Sequence, residues 1–198
     1  DFAWESDRIA YRVYGPALRK ETVSNGIDVW CKRVRYPVIE KWYQPGFNYH
    51  EDSGDGADFF KVGETLGCGG TAIWQKDRIY RGENFAKWRV LADGPIRTSF
   101  ELTYEPLQVE GREVRETKRF SLDAGQNLTR IETVFDGDKA LESLEFAAGL
   151  VKRENVVTGG GDGKPWIALW GPIGGKEDGE LGTGVVMTPD VYVRTAEV

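Results

Sequence analysis

Two cysteines and a single histidine in 198 residues remove several classes of protein at once. Two cysteines cannot staple a disulfide scaffold, and this length needs neither that nor a structural metal, because a domain of about 100–150 residues already buries a working core. Positive charge is in deficit too: 26 Lys and Arg against 32 Asp and Glu give a net charge of −6. The basic residues are scattered singly, so the electrostatic footprint of a nucleic-acid surface is missing and no nucleic acid is expected as a partner. No apolar run approaches the roughly 18–20 residues of a membrane span, and Asp1-Phe2-Ala3-Trp4-Glu5 has none of the marks of a signal peptide. Helical periodicity is scarce as well: Gly, Pro or β-branched clusters interrupt every window of about a dozen residues.

What is present is alternation with period two. Ile96, Thr98, Phe100, Leu102 and Tyr104 share one face of a strand, and Arg97, Ser99, Glu101 and Thr103 the other. Similar patterns over 115–122, 128–135 and 144–150 are separated by the Gly- and Asp-bearing stretches 123–127 and 136–139, which read as tight connections of an antiparallel meander. Further strands are predicted over 8–14, 27–35, 71–75, 85–92, 166–170, 183–187 and 191–194. With 25 Gly and 8 Pro to make turns, this predicts one all-β domain over 1–198, an antiparallel β-sandwich. The stretch 44–70 has no strand pattern, and a connection of that length is usually functional. Thr158 to Lys164 reads as a second, glycine-rich loop, and the Gly67–Gly70 cluster as another turn.

The chemistry concentrates beside the long connection. Histidine is the side chain whose chemistry suits proton transfer near neutrality, so His50, the only one, is a candidate to move a proton, against the plain alternative of a structural histidine. Asp52, Asp55 and Asp58 recur at steps of three among glycines, so their oxygens could converge on calcium, or simply form an acidic turn. Arg33 and Arg35, two apart, fall on one strand face and suit bidentate capture of a carboxylate or sulfate, unless they are merely solvated. Over 113–120 both strand faces carry charge, which suggests an edge or a wet cleft. Seven Trp, eight Tyr and nine Phe fit a saccharide cleft, where sugar C–H bonds pack on rings and hydroxyls meet charged groups. Trp42 and Tyr43 are the candidate platform, while Trp30, Trp74, Trp88, Trp166 and Trp170 sit at alternating strand positions and are expected mostly to fill the core. Cys31 and Cys68 are either a pair or two buried thiols.

The strings Arg33-Val34-Arg35-Tyr36-Pro37, Tyr49-His50-Glu51-Asp52, Asp58-Phe59-Phe60-Lys61-Val62-Gly63, Gly69-Gly70-Thr71-Ala72 and Gly94-Pro95-Ile96-Arg97 together resemble a bacterial family known as domain of unknown function 4861. The resemblance implies a galactose-mutarotase-like supersandwich, a periplasmic or secreted protein of a polysaccharide-utilisation locus, and an acidic oligosaccharide as partner. Some members are linked to dehydration of uronic acid residues. Family members are usually longer, which leaves room for this chain to be a partial copy completed by a second chain.

The activity so implied is a carbohydrate lyase of the dehydratase kind. Elimination across C4 and C5 of a uronate needs the carboxylate neutralised, a base for the C5 proton and an acid for the C4 oxygen. Arg35, with Arg97 or Arg33, is the candidate for the carboxylate, His50 or Lys61 for the base, and Tyr43 or Tyr49 for the acid. Asp52 and Asp58 would orient His50 or hold calcium, and no cofactor is required. A sugar epimerase or mutarotase, and a non-catalytic saccharide-binding or structural β domain, are the alternatives.

Overall fold

The computed structural model describes residues 1–21, 24–137, 141, 144–174 and 178–198. The strands follow in the order β1 (Phe2–Glu5), β2 (Ile9–Val13), β3 (Ile27–Lys32), β4 (Gly56–Ala57), β5 (Cys68–Gln75), β6 (Arg78–Arg81), β7 (Lys87–Asp93), β8 (Arg97–Thr103), β9 (Leu107–Val109), β10 (Arg112–Asp123), β11 (Arg130–Gly137), β12 (Glu145–Leu150), β13 (Val157–Gly160), β14 (Trp166–Pro172) and β15 (Glu180–Val186). One helical turn, α1 (Ile39–Trp42), lies between β3 and β4. Four sheets result: β1-β2-β3-β4; β11-β10-β8-β7, with β9 also on β10; β12-β5-β6; and β13-β14-β15. The strands within them pair antiparallel, so the alternation seen in the sequence does build an all-β antiparallel sandwich.

The main core lies between the first two sheets. Tyr11, Val13, Ile27 and Val29 of β2 and β3 meet Phe100, Leu102, Phe120 and Leu122 of β8 and β10. Phe100 and Phe120 stand directly opposite in register and their rings stack at 4.8 Å, with the Trp4 ring 5.0 and 5.2 Å from them. Such contacts add about 1 kcal/mol each to the area they bury. Because side chains alternate across a strand, the opposite face of β2 and β3 carries Ala10, Arg12, Asp28 and Trp30. That back face is covered by α1 through a smaller cluster of Ala10, Trp30, Val38 and Trp42.

Several boundaries differ from the sequence reading, for local reasons. β3 stops at Lys32, so Arg33 and Arg35 lie on the bends that follow and not on a strand face. β4 falls inside the stretch expected to be strandless, and β13 takes up the first half of the glycine-rich loop. Residues 189–191 form a 3-10 turn, since Pro189 has no N–H for a ladder, and no strand covers 191–194. The connection expected at 136–139 lies partly outside the described residues. Charge on both faces of 113–120 does not mark an edge. β10 is flanked by β8 and β11, and Glu116 and Lys118 point inward as a buried pair 3.6 Å apart, with Lys118 4.4 Å over the Tyr104 ring. No helix among the described residues is long and apolar enough to cross a membrane.

Candidate functional site

The back face of the first sheet places two opposite charges side by side. Arg12 on β2 and Asp28 on β3 are cross-strand partners in register, and the guanidinium holds Asp28 Oδ2 through Nη2 at 2.6 Å and Nε at 3.1 Å. The same Nη2 donates to Asp58 Oδ2 at 3.1 Å, and Nη1 donates to the Tyr49 hydroxyl at 3.1 Å. Asp28 also accepts from Trp30 Nε1 at 3.1 Å and from the Val29 amide at 2.9 Å. Arg12, Asp28 and Asp58 are all buried. The guanidinium lies 5.1 Å from the Trp30 ring and 5.3 Å from that of Tyr14, favourable cation–π positions.

The long connection is folded over this face by its own ties. The Glu5 carboxylate accepts from the Val38 and Ile39 amides at the start of α1, at 3.0 and 3.1 Å, and Lys32 Nζ locks it at 2.5 Å. Trp42 thereby seats against Trp30, with ring centres 5.5 Å apart, and Tyr43 and Tyr49 follow at 5.5 and 5.3 Å. Farther on, Asp52 Oδ1 accepts from the Gly54 and Gly56 amides at 2.8 and 3.0 Å, and Asp55 accepts from the Tyr36 hydroxyl and Lys41 Nζ, both at 2.5 Å. Gly56, at φ +105°, has Cys31 O where a Cβ would stand, so only glycine fits this crossing. The Asp58 amide then donates to Tyr49 O at 2.8 Å, and its side chain turns in to Arg12.

The cluster holds one cation and two carboxylates, an arrangement that leaves one buried negative charge uncompensated. Burial works against the Arg12 charge, but Asp28 and Asp58 outweigh it and keep the guanidinium protonated. Burial likewise raises the Asp28 carboxyl despite Arg12 and the Trp30 and Val29 donors. For Asp58, burial and then repulsion from Asp28 overcome the attraction of Arg12 and push the carboxyl up from 3.8 to about 7. A carboxyl that titrates near neutrality beside an exposed histidine is suited to proton transfer.

His50 sits at the open rim. Its Nδ1 is 3.3 Å from Asp58 O and 3.6 Å from Asp58 Oδ2, and its ring lies 4.4 Å from that of Tyr49. A carbonyl oxygen only accepts, so this contact favours the tautomer with the proton on Nδ1 and a free lone pair on Nε2. The imidazole is 61 % exposed, so that lone pair is open to a substrate.

The structure thus gathers His50, Tyr43, Tyr49 and Asp58 and leaves other sequence candidates elsewhere. Trp42 is core, 1 % exposed, and cannot be a platform. Lys61 is exposed and lacks the burial its role as base required. Arg33 pairs with Asp52 and Arg35 with Asp7 (3.2 Å), so the two do not form one fork. Arg97 is on β8, held bidentately by Asp123 at 2.5 and 2.8 Å. Asp52, Asp55 and Asp58 each turn to different partners, and among the described residues no group of three or more His, Cys, Asp or Glu could hold a metal. The expected core tryptophans divide: Trp30 is fully buried and Trp74 half-buried, but Trp88, Trp166 and Trp170 are 62 %, 39 % and 56 % exposed. Cys31 and Cys68 are unpaired, and burial pushes both thiols up to about 11. Sequence reasoning missed Arg12 and Asp28. Their signal was there: each is a lone charge inside an apolar run, Ile9 to Tyr14 and Ile27 to Trp30.

Fold and site define an all-β sandwich protein with a buried arginine–aspartate centre opening onto an exposed histidine. Within that class the chain belongs to the family described as Domain of unknown function (DUF4861), whose model matches residues 1–198. It is similar to "Uncharacterized protein P7" of Formosa agariphila, 37 % identical over 216 residues that cover 99 % of this chain and 52 % of that protein. The chain therefore spans about half the length of the curated relative it matches. No solved structure gives a significant match.

Proposed function

We propose that this domain carries out proton transfer on an acidic saccharide, as a dehydratase-type lyase acting on uronate-containing oligosaccharides. The observation that carries the reading is the exposed His50 imidazole backed by Asp58, whose carboxyl titrates near 7. In this scheme His50 Nε2 takes the C5 proton, the C5–H electron pair forms the C4–C5 double bond, and the C4–O bond breaks with the oxygen leaving as water. The ionised Asp58 stabilises the imidazolium and fixes its orientation, acting as a positioning residue. The Tyr49 hydroxyl accepts from Arg12, which leaves its own proton for the departing oxygen. Tyr43, whose phenol burial pushes up to about 12, stays protonated, but its hydroxyl donates to Asp1 Oδ2 at 2.8 Å, so Tyr49 is the better placed acid. In this scheme the substrate carboxylate is met by an exposed cation of the long connection, for which Arg33, paired only with Asp52, is the sequence candidate. The same reading takes the protein to be exported, on the family resemblance.

Turnover would appear as the ultraviolet absorbance of the unsaturated product. His50→Ala is expected to lower the rate by about a hundredfold or more while binding is retained. Absence of the signal with wild-type protein across a panel of uronate-ended oligosaccharides would overturn the reading.

A non-catalytic, saccharide-binding role is favoured by a separate observation. Trp166 and Trp170, four residues apart on β14, share a solvent-facing side. Trp166 lies against Gly160 and Trp170 against Gly182 of the neighbouring strands, where no side chain intervenes. If this is the function, replacing both by Ala abolishes saccharide binding and no variant of His50 changes it.

A further inference from the structure

The outer face of the second sheet holds a cavity of about 140 Å³ that shares no residue with the His50 cluster. Ser121 of β10 lines it, and its hydroxyl lies 3.0 Å from that of Ser99, its register partner on β8. Arg97, Arg119 and Arg130 stand around it with Asp123 and Glu132. The lining thus carries three cations against two carboxylates in a chain whose net charge is −6.

The pairing is uneven, and the unevenness singles out Arg119. Arg97 is matched by Asp123, and Arg130 by Glu132 at 2.6 Å. Arg119 lies between Glu101 and Glu132, its register partners on β8 and β11. Glu132 is taken by Arg130, and Glu101 binds Arg89 at 3.0 Å, leaving Arg119 a contact of 3.4 Å. Its planar fork is therefore the under-neutralised group of the cavity, beside the Ser121 hydroxyl. A carboxylate or sulfate meets a guanidinium through two parallel charge-assisted bonds. Leu128, 65 % exposed on the wall, offers an apolar surface to sugar C–H bonds. At this volume the cavity admits one charged sugar unit and not the drug-sized ligands of pockets of about 300 Å³ and above.

We propose that this cavity is a second saccharide-binding site, which takes a single sugar residue bearing a carboxylate or sulfate through Arg119, with Arg130 beside it. The proposal rests on the acidic-saccharide part of the reading above and is independent of turnover at His50.

Calorimetric titration of the protein with a uronate-ended disaccharide, a sulfated monosaccharide, their neutral counterparts and inorganic sulfate tests it. Binding of the charged sugars is expected, weakening with salt and about tenfold or more below wild type in Arg119→Gln and Arg130→Gln. Arg115→Gln, on the same sheet face but outside the cavity and paired with Glu113, should bind like wild type. All these residues are exposed, and circular dichroism confirms that the variants fold. Equal binding of neutral sugars, equal loss in Arg115→Gln, inorganic sulfate binding as tightly as the sugars, or no binding of any probe overturns the proposal. If turnover fails to appear while Arg119-dependent binding persists, the lyase reading fails and this site stands.

Discussion

At the scale of single residues, the decisive quantity is the charge enclosed around Arg12. One guanidinium serves two buried carboxylates, and the resulting excess of negative charge is relieved when Asp58 keeps a proton up to about pH 7. The consequence for stability has a definite sign. The unfolded chain releases this proton near pH 4 and the folded chain near 7, so between those values the folded state binds more protons. Stability from this group is greatest below pH 4 and is lost as the pH rises through 7. Asp58→Asn, which cannot ionise, should flatten that slope, removing on the order of 2–4 kcal/mol of pH dependence. Urea titrations of wild type and variant at pH 5 and pH 8 measure the difference, and an unchanged slope refutes the assignment. His50 was legible because it is the only histidine. Asp58 was legible as a site residue but not in its role, because the ligand it faces, Arg12, lies 46 positions away in the chain.

At the scale of elements, the fate of each tryptophan depends on what covers its side of the strand. Alternation says which residues share a face; it does not say which face meets another layer. Trp42 belongs to no strand, and α1 presses it onto Trp30 because Glu5 and Lys32 pin the start of that turn. Trp88, Trp166 and Trp170 alternate as core residues do, yet their sides face solvent. Trp42→Ala should therefore cost about 3–5 kcal/mol and release Tyr49 and His50 from their places over the sheet. Trp88→Ala should stay within about 0.5 kcal/mol. Chemical denaturation followed by far-ultraviolet circular dichroism distinguishes the two, and similar losses would contradict the layering.

At the scale of the whole molecule, the fourth sheet meets the sandwich through Ile173 and Leu181, which pack on the main core, and through the polar ties of one side chain, Arg153. Arg153 donates to Leu181 O at 2.6 Å and Pro172 O at 3.0 Å on the β14–β15 hairpin, and lies 5.7 Å over the Phe60 ring of the main core. Those carbonyls lose their donor in Arg153→Met, while most of the apolar stem is retained. Amide hydrogen exchange in β14 and β15 should quicken by about tenfold, with β8 and β10 unchanged. Uniform acceleration in all four strands would show instead that the sheets open as one unit.

The amino-acid sequence by itself determined the class of fold, because period-two alternation and glycine-rich turns admit only pleated strands with one covered side. It also determined the family, carried by short strings around the long connection, and the stretch in which the chemistry gathers. The tertiary structure decided which charges meet. Strand register set Arg12 opposite Asp28, and the crossing at Gly56 delivered Asp58 to the same guanidinium. Those neighbours are distant in the chain and become close only when sheets pair. Burial, which moves a carboxyl toward neutrality, is a property of the packed layers and not of any residue alone.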